Sequence, residues 1–244
     1  GPMLAHPSLV TVTWPADPLA SFVQTFDAWL ATSQYLADGL AEYGISNAQH
    51  AGSFVFADAA PASIDATEIG QKLADEAAAG RLLPPTADRL YVVYTPPGTT
   101  VLRLGFKSCE AFAGTHLSKA ATGAGSPIVF ALIPRCHNEF YSDQDNLTIS
   151  ASHEVTESIT DPIFETPAWF TEDPTSTGAE IADACIGNAL VGDVPYRVNQ
   201  LYSNAAAKAG LRPCLPSAPG PMCGVWTATP KLKLARGATA AISL

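Results

Sequence analysis

The chain has 244 residues, 47% of them hydrophobic and only 15% charged, with 13 Lys+Arg against 23 Asp+Glu and a net charge of −10. That length can bury a sizeable core, and the composition excludes a disordered, highly charged chain. The acidic balance argues against nucleic acid and anionic membranes as partners, which need a basic footprint, and no stretch approaches the ~20 apolar residues that span a bilayer.

Leu9 to Trp14 is β-branched, short and stopped by Pro15, which predicts a strand. Leu19, Phe22, Val23, Phe26, Trp29 and Leu30 recur at helical spacing over 18–32. A second helix is predicted from Ser33 through Tyr35, Leu36, Leu40 and Tyr43, ending at Gly44. Ser53 to Phe56 reads as a short strand. Asp65 and Glu68 have capping-box spacing ahead of an Ala-rich helix that ends at Gly80. Arg89 to Thr95 and Val101 to Phe106 flank Pro96-Pro97-Gly98, a loop of hairpin length. Pro127 to Ile133 is a further apolar strand, and residues 147–160 are predicted helical. Residues 164–177 are rich in Pro and Thr and read as a loop, and the pattern beyond Pro213 is irregular. Strands and helices alternate with no nucleotide-binding glycine motif, internal repeat or composition break. One α/β domain over residues 1–244 is expected, with Gly1-Pro2 before Met3 reading as the scar of a cleaved expression tag.

The informative segment is Ser152-His153-Glu154-Val155-Thr156-Glu157-Ser158-Ile159-Thr160-Asp161-Pro162. On a helix, with His153 at zero, Glu157 falls near about 40°, Asp161 near about 80° and Glu154 near about 100°. Ala151, Val155 and Ile159 fall on a separate apolar face. Carboxylates crowded on one side repel unless a cation screens them, and an acid at a helix C-terminus opposes the dipole. A divalent metal resolves both conflicts. His153 and Glu157 at i and i+4 can ligate one ion, and Glu154 stands where a general base would take a proton from the attacking water. The competing reading of this HExxE pattern is a solvated acidic face.

Downstream, Glu180 and Asp183 lie in Gly178 to Cys185, Glu180 being 23 residues after Glu157. A Glu at this distance, on a second helix, matches the third ligand of a gluzincin arrangement, with Asp183 orienting a ligand. The rival reading is a pair of acids favoured by a helix dipole. His116 is the next candidate ligand, whereas His6, His50 and His137 sit in turn-like contexts and are expected at the surface. No Gly-x-Ser-x-Gly elbow is present.

The five cysteines, Cys109, Cys136, Cys185, Cys214 and Cys223, include no CxxC pair. Two disulfides and one free thiol are expected, which implies an oxidising compartment.

Taken together, several blocks resemble the EXORDIUM (phosphate-induced protein) family and its secreted bacterial relatives. They are His6-Pro7, Ser33-x-Tyr35-Leu36, Glu42-Tyr43-Gly44, Gly114-Thr115-His116, Ile133-Pro134-Arg135-Cys136, SHExxExxTDP, Glu180 with Asp183 and Cys185, Tyr202-Ser203-Asn204 and Cys214. The resemblance spans about residues 6–214 in consistent order. It implies secretion and a metal site more than it implies a substrate.

The leading expectation is a secreted, monomeric, zinc-dependent hydrolase of peptidase type, an α/β protein with a zincin-like mixed sheet and a metal-binding active-site helix. His153, Glu157 and Glu180 would bind Zn2+, Glu154 would be the catalytic base, and His116 and Asp161 are further ligand candidates. A peptide or cell-wall component would be the substrate. The alternative is a non-catalytic extracellular binding protein of cell-wall or carbohydrate type, stapled by a metal such as Ca2+. Cys109–Cys136 and Cys185–Cys214 are the expected disulfides, leaving Cys223 free. The second closes a loop worth roughly 3–4 kcal/mol in the chain-entropy model.

Overall fold

Helices pack on both faces of a mixed sheet, whose edge strand brings His116 beside the acidic helical segment. A computed structural model describes residues 1–216 except 122–124, 164, 172–179, 186 and 192–193. Cys223, the expected free thiol, and the irregular stretch after residue 216 lie outside the described residues.

In chain order the elements are β1 (Ser8–Thr13), α1 (Ala20–Thr32), α2 (Gln34–Leu40), β2 (Gln49–Val55), β3 (Ser63–Asp65), α3 (Ala66–Ala78), β4 (Arg89–Tyr94), β5 (Thr100–Arg103) and β6 (Phe106–Lys107). They continue with β7 (Thr115–Lys119), β8 (Ile128–Ile133), α4 (Asp143–Thr160), β9 (Asn188–Val191), β10 (Val194–Asn199), β11 (Leu201–Tyr202), α5 (Asn204–Lys208) and β12 (Cys214–Leu215). The main sheet has the order β2-β1-β4-β8-β7. Its first four strands run parallel, and the edge strand β7 is antiparallel to β8.

Side chains alternate across these strands, as the two-residue period requires. Leu90, Val92, Tyr94, Val129, Ala131 and Ile133 face α1, α2 and α4, in one core with Phe26, Leu36, Val155 and Ile159. Tyr91, Val93, Phe130 and Leu132 face the other way, against Ile69 and Leu73 of α3. The chain is therefore mixed α/β, in three layers.

The expected hairpin at Pro96-Pro97-Gly98 is corrected. The β4 strand is central, buried on both faces between β1 and β8, which its near-continuous apolar run suits. The β5 strand leaves that sheet and pairs with β3 and β6 instead. A tight turn at Leu104-Gly105, both at positive φ (52° and 83°), joins β5 to β6.

Helix boundaries follow the capping chemistry. Asp65 caps α3 by accepting the Thr67 N–H at 2.9 Å. Gly44, at φ 78°, closes the turn after α2 in the left-handed region that glycine enters without strain. The α4 helix begins at Asp143, four residues before the expected start, because Ser142 caps it and accepts the Asp145 N–H at 3.1 Å. Asn146, formally in a glycosylation sequon, is buried in its first turns.

Both expected disulfides are present, Cys109–Cys136 and Cys185–Cys214. Among the described residues no helix is long and apolar enough to cross a membrane.

Under α1 lies a polar network that sequence periodicity does not announce. Asp27, fully buried, accepts hydrogen bonds from Thr11 Oγ1 on β1 and Tyr94 Oη on β4, both at 2.6 Å. His50, expected in a surface turn, instead lies half-buried in β2 with Nε2 2.9 Å from Thr11 Oγ1. Burial pushes the Asp27 carboxyl up to about 7, against the two hydrogen bonds that lower it. Between roughly pH 4 and 7 the unfolded chain has lost this proton while the folded chain keeps it, so folding stability falls as pH rises through that window. The loss is on the order of 4 kcal/mol and is complete above the folded value. In Asp27→Asn this contribution is removed. The melting temperature of the variant relative to the parent should therefore rise between pH 4 and 8; a flat difference would show that Asp27 is ionised in the fold throughout.

Candidate metal centre

The apolar stripe of α4, Ala151, Val155 and Ile159, is fully buried against the sheet. The helix is rich in Ser and Thr yet well formed, because these hydroxyls bond backward to the preceding turn. Ser158 Oγ donates to the Glu154 carbonyl at 2.7 Å and Thr160 Oγ1 to that of Thr156 at 3.0 Å. Ser152 Oγ accepts the Asn199 N–H at 2.9 Å, tying α4 to β10. The opposite face carries His153, Glu154 and Glu157 into a cavity of about 440 Å³. Arg103, Phe112, Gly114, His116, Glu180 and Asp183 also border it.

Three segments deliver the polar groups. His116 comes from β7, where alternation sends Leu117 to the α3 side and His116 toward α4. Glu180 and Asp183 come from a segment pinned by the Cys185–Cys214 disulfide and by Ile181 and Ala182, both buried in the core. Sequence spacing predicts a second helix here. Among the described residues, 180–185 form a single turn instead, closed by Ala184 N–H to the Glu180 carbonyl at 2.9 Å. The turn docks on β11, where Tyr202 N–H bonds the Ile181 carbonyl at 3.0 Å.

Two groups of donors result. His153, Glu157 and Asp183 each offer a ligand atom, all within 4.8 Å of one another, and so do His116, Glu157 and Glu180. His153 Nε2 lies 3.0 Å from Glu157 Oε1 and 3.4 Å from Asp183 Oδ1. His116 Nδ1 lies 3.7 Å from Glu157 Oε2 and 3.4 Å from Glu154 Oε2, and its Nε2 is 3.3 Å from Glu180 Oε1. Of the expected ligands, His153 and Glu157 thus meet directly. Glu180 sits on His116, and Asp183 rather than Glu180 is the acid beside His153. Asp161 caps the next turn, accepting the Trp169 N–H at 3.0 Å and the Ala168 N–H, while its buried Oδ2 has no hydrogen-bond partner among the described residues.

Ligand atoms around a tetrahedral zinc with bonds of about 2.0–2.1 Å stand roughly 3.3–3.4 Å apart. The His153–Glu157 and His153–Asp183 separations bracket that spacing. His116 Nε2 is a second sign of fit: a buried ring nitrogen that makes no hydrogen bond among the described residues and faces a carboxylate oxygen at 3.3 Å.

The electrostatics point the same way. Burial pulls both imidazoles down, but Glu154 and Glu180 push His116 up to about 10, and Asp183 and Glu157 push His153 well above the usual imidazole range. Burial pushes the Glu157 carboxyl up to about 7 against the opposing His153 contact. The His153 contact holds Asp183 low. Each imidazole–carboxylate contact is a place where a divalent cation can replace a proton, so binding releases protons.

Two features escape sequence reasoning. Arg103, whose Nη1 donates to Thr115 Oγ1, places a guanidinium at the cavity wall; nothing in its spacing marks it. Gly114 faces Glu154 so closely that a Cβ there would lie 2.6 Å from Glu154 Cγ. The Gly-Thr-His triplet was the available signal, although it marked His116 and not the glycine.

Comparison with family models, curated proteins and solved structures finds no match to the chain.

Proposed function

We propose that this chain is a secreted zinc-dependent hydrolase of peptidase type on a zincin-like scaffold. The observation that carries the reading is α4 itself: it aims His153 and Glu157 at one point with Asp183, and sets Glu154 beside them on an open cavity. Zinc held there would supply Lewis acidity toward water and a substrate carbonyl. His153, Glu157 and Asp183 would hold it, and Glu154 would accept the proton of the attacking water and return it to the leaving amine. Glu154 is 7% exposed and walled by Gly114, so its carboxylate has little freedom to swing away. The cavity runs under the edge strand β7, whose outer backbone edge can receive an extended peptide by strand addition. Exposed Leu104 and Phe106, just beyond Arg103, add apolar surface near that rim.

Two disulfides and the resemblance to the EXORDIUM family support an extracellular setting. A second reading, a non-catalytic protein stapled by Ca2+, is favoured by the excess of carboxylate oxygens over imidazole nitrogens.

Elemental analysis of gently purified protein, paired with mass spectrometry of a peptide mixture incubated with it, tests the proposal. Zinc and chelator-sensitive cleavage are expected. Calcium without cleavage would favour the structural reading, and absence of any bound metal would overturn both.

A further inference from the structure

Glu157 serves both donor groups, and it does so with different oxygens. Its Oε1 lies 3.0 Å from His153 Nε2, and its Oε2 lies 3.7 Å from His116 Nδ1. One ligand atom from each of His153, Glu157 and Asp183, and likewise from each of His116, Glu157 and Glu180, lies within 4.8 Å of the others, so Glu157, common to both groups, stands where a carboxylate bridges two metal ions. Glu157 is 2% exposed, so it cannot turn toward water to relieve the crowding.

The charge count supports more than one cation. Glu154, Glu157, Glu180 and Asp183 line the cavity against the single guanidinium of Arg103. Asp161 adds a fifth carboxylate that interacts electrostatically with His116 and Glu180. With neutral imidazoles and ionised carboxylates, one divalent ion leaves two negative charges unbalanced, and two ions neutralise them. The independent sign is His116 Nε2, a ring nitrogen in a side chain 7% exposed that makes no hydrogen bond among the described residues and faces Glu180 Oε1 at 3.3 Å, an ion pair only while the ring carries a proton. A zinc on His153, Glu157 and Asp183 alone puts no cation between that neutral ring and Glu180.

We infer that the centre is dinuclear: Glu157 bridges two divalent cations, one held with His153 and Asp183 and the other with His116 and Glu180. This inference rests on the metal site of the proposed function and extends it to a second ion. The second site has one imidazole and two carboxylates, a mixed donor set that suits Zn2+ or Mn2+.

Stoichiometry is the test. Chelator-stripped full chain is reloaded with Zn2+, freed of excess by gel filtration and analysed for metal. Wild type should hold close to two equivalents, and His116→Gln and Glu180→Gln close to one each. Glu180 is 24% exposed on its side chain, so its substitution should leave the fold intact, checked by circular dichroism. One equivalent in wild type, unchanged in both variants, overturns the dinuclear centre and leaves the single-zinc reading standing. No equivalents overturns both. Two equivalents that persist in both variants would place the second ion elsewhere and also overturn the inference. Mn2+-loaded protein gives an independent readout: an exchange-coupled paramagnetic resonance signal is expected, and an isolated-ion spectrum at full loading would count against a shared carboxylate.

Discussion

Glu154→Gln should keep its metal and lose peptide hydrolysis by roughly 10²–10⁴-fold, the usual contribution of a positioned general base. The amide fills the same space beside Gly114 and His116 but cannot accept the water's proton. Glu157→Gln should behave in the opposite way. It removes a donor common to both groups, so metal content itself should fall, and activity with it. Measuring metal content and cleavage rate for both variants separates the roles. If Glu154→Gln stayed fully active while Glu157→Gln kept all its metal, the catalytic reading of α4 would fail. If the ion were only structural, Glu157→Gln would lower the melting temperature and Glu154→Gln would be nearly silent.

The second large effect lies away from the cavity. Arg135, two residues beyond the end of the β8 strand, meets Asp17 through Nη2, which donates to both carboxylate oxygens at 2.8 Å. The side chains are 8% and 0% exposed, so this is a buried pair. Asp17 Oδ1 also accepts the Leu19 N–H at 2.9 Å, at the entry to α1. Removing one partner strands a buried charge, at a cost of about 3–5 kcal/mol. For a chain of this size Asp17→Ala should lower the melting temperature by roughly 6–20 °C. Replacing both charges by apolar side chains, Asp17→Ala with Arg135→Met, should recover much of the loss, since no buried charge is then left unpaired. A double variant as unstable as Asp17→Ala would instead show that the ion pair itself holds α1 against the sheet. Thermal unfolding of the parent and the two variants by circular dichroism makes the comparison.

Much of the local architecture was legible in the chain. Ala151, Val155 and Ile159 recur at helical spacing, so one face of α4 had to be apolar and the other had to carry His153, Glu154 and Glu157. Asp65 and Gly44 marked helix ends because capping depends only on neighbouring backbone groups. The cysteine pairing was also anticipated.

What spacing could not supply was anything that depends on which strand pairs with which. The strand Arg89–Tyr94 has the same residues whether it forms a hairpin or fills the centre of a parallel sheet, and only long-range pairing with β1 and β8 chooses. His116 stands 37 residues before His153, and it reaches Glu154 only because β7 folds back antiparallel on β8. Glu180 and Asp183 are three residues apart, yet a single turn pinned by a disulfide sends one to each imidazole. The buried Asp27 network likewise joins β1, β2, β4 and α1, four segments with no common period. Periodicity and capping are local energies, so the sequence by itself determined the helix and its chemistry. The partners of that helix follow from burial and strand pairing between distant segments, which only the tertiary structure decided.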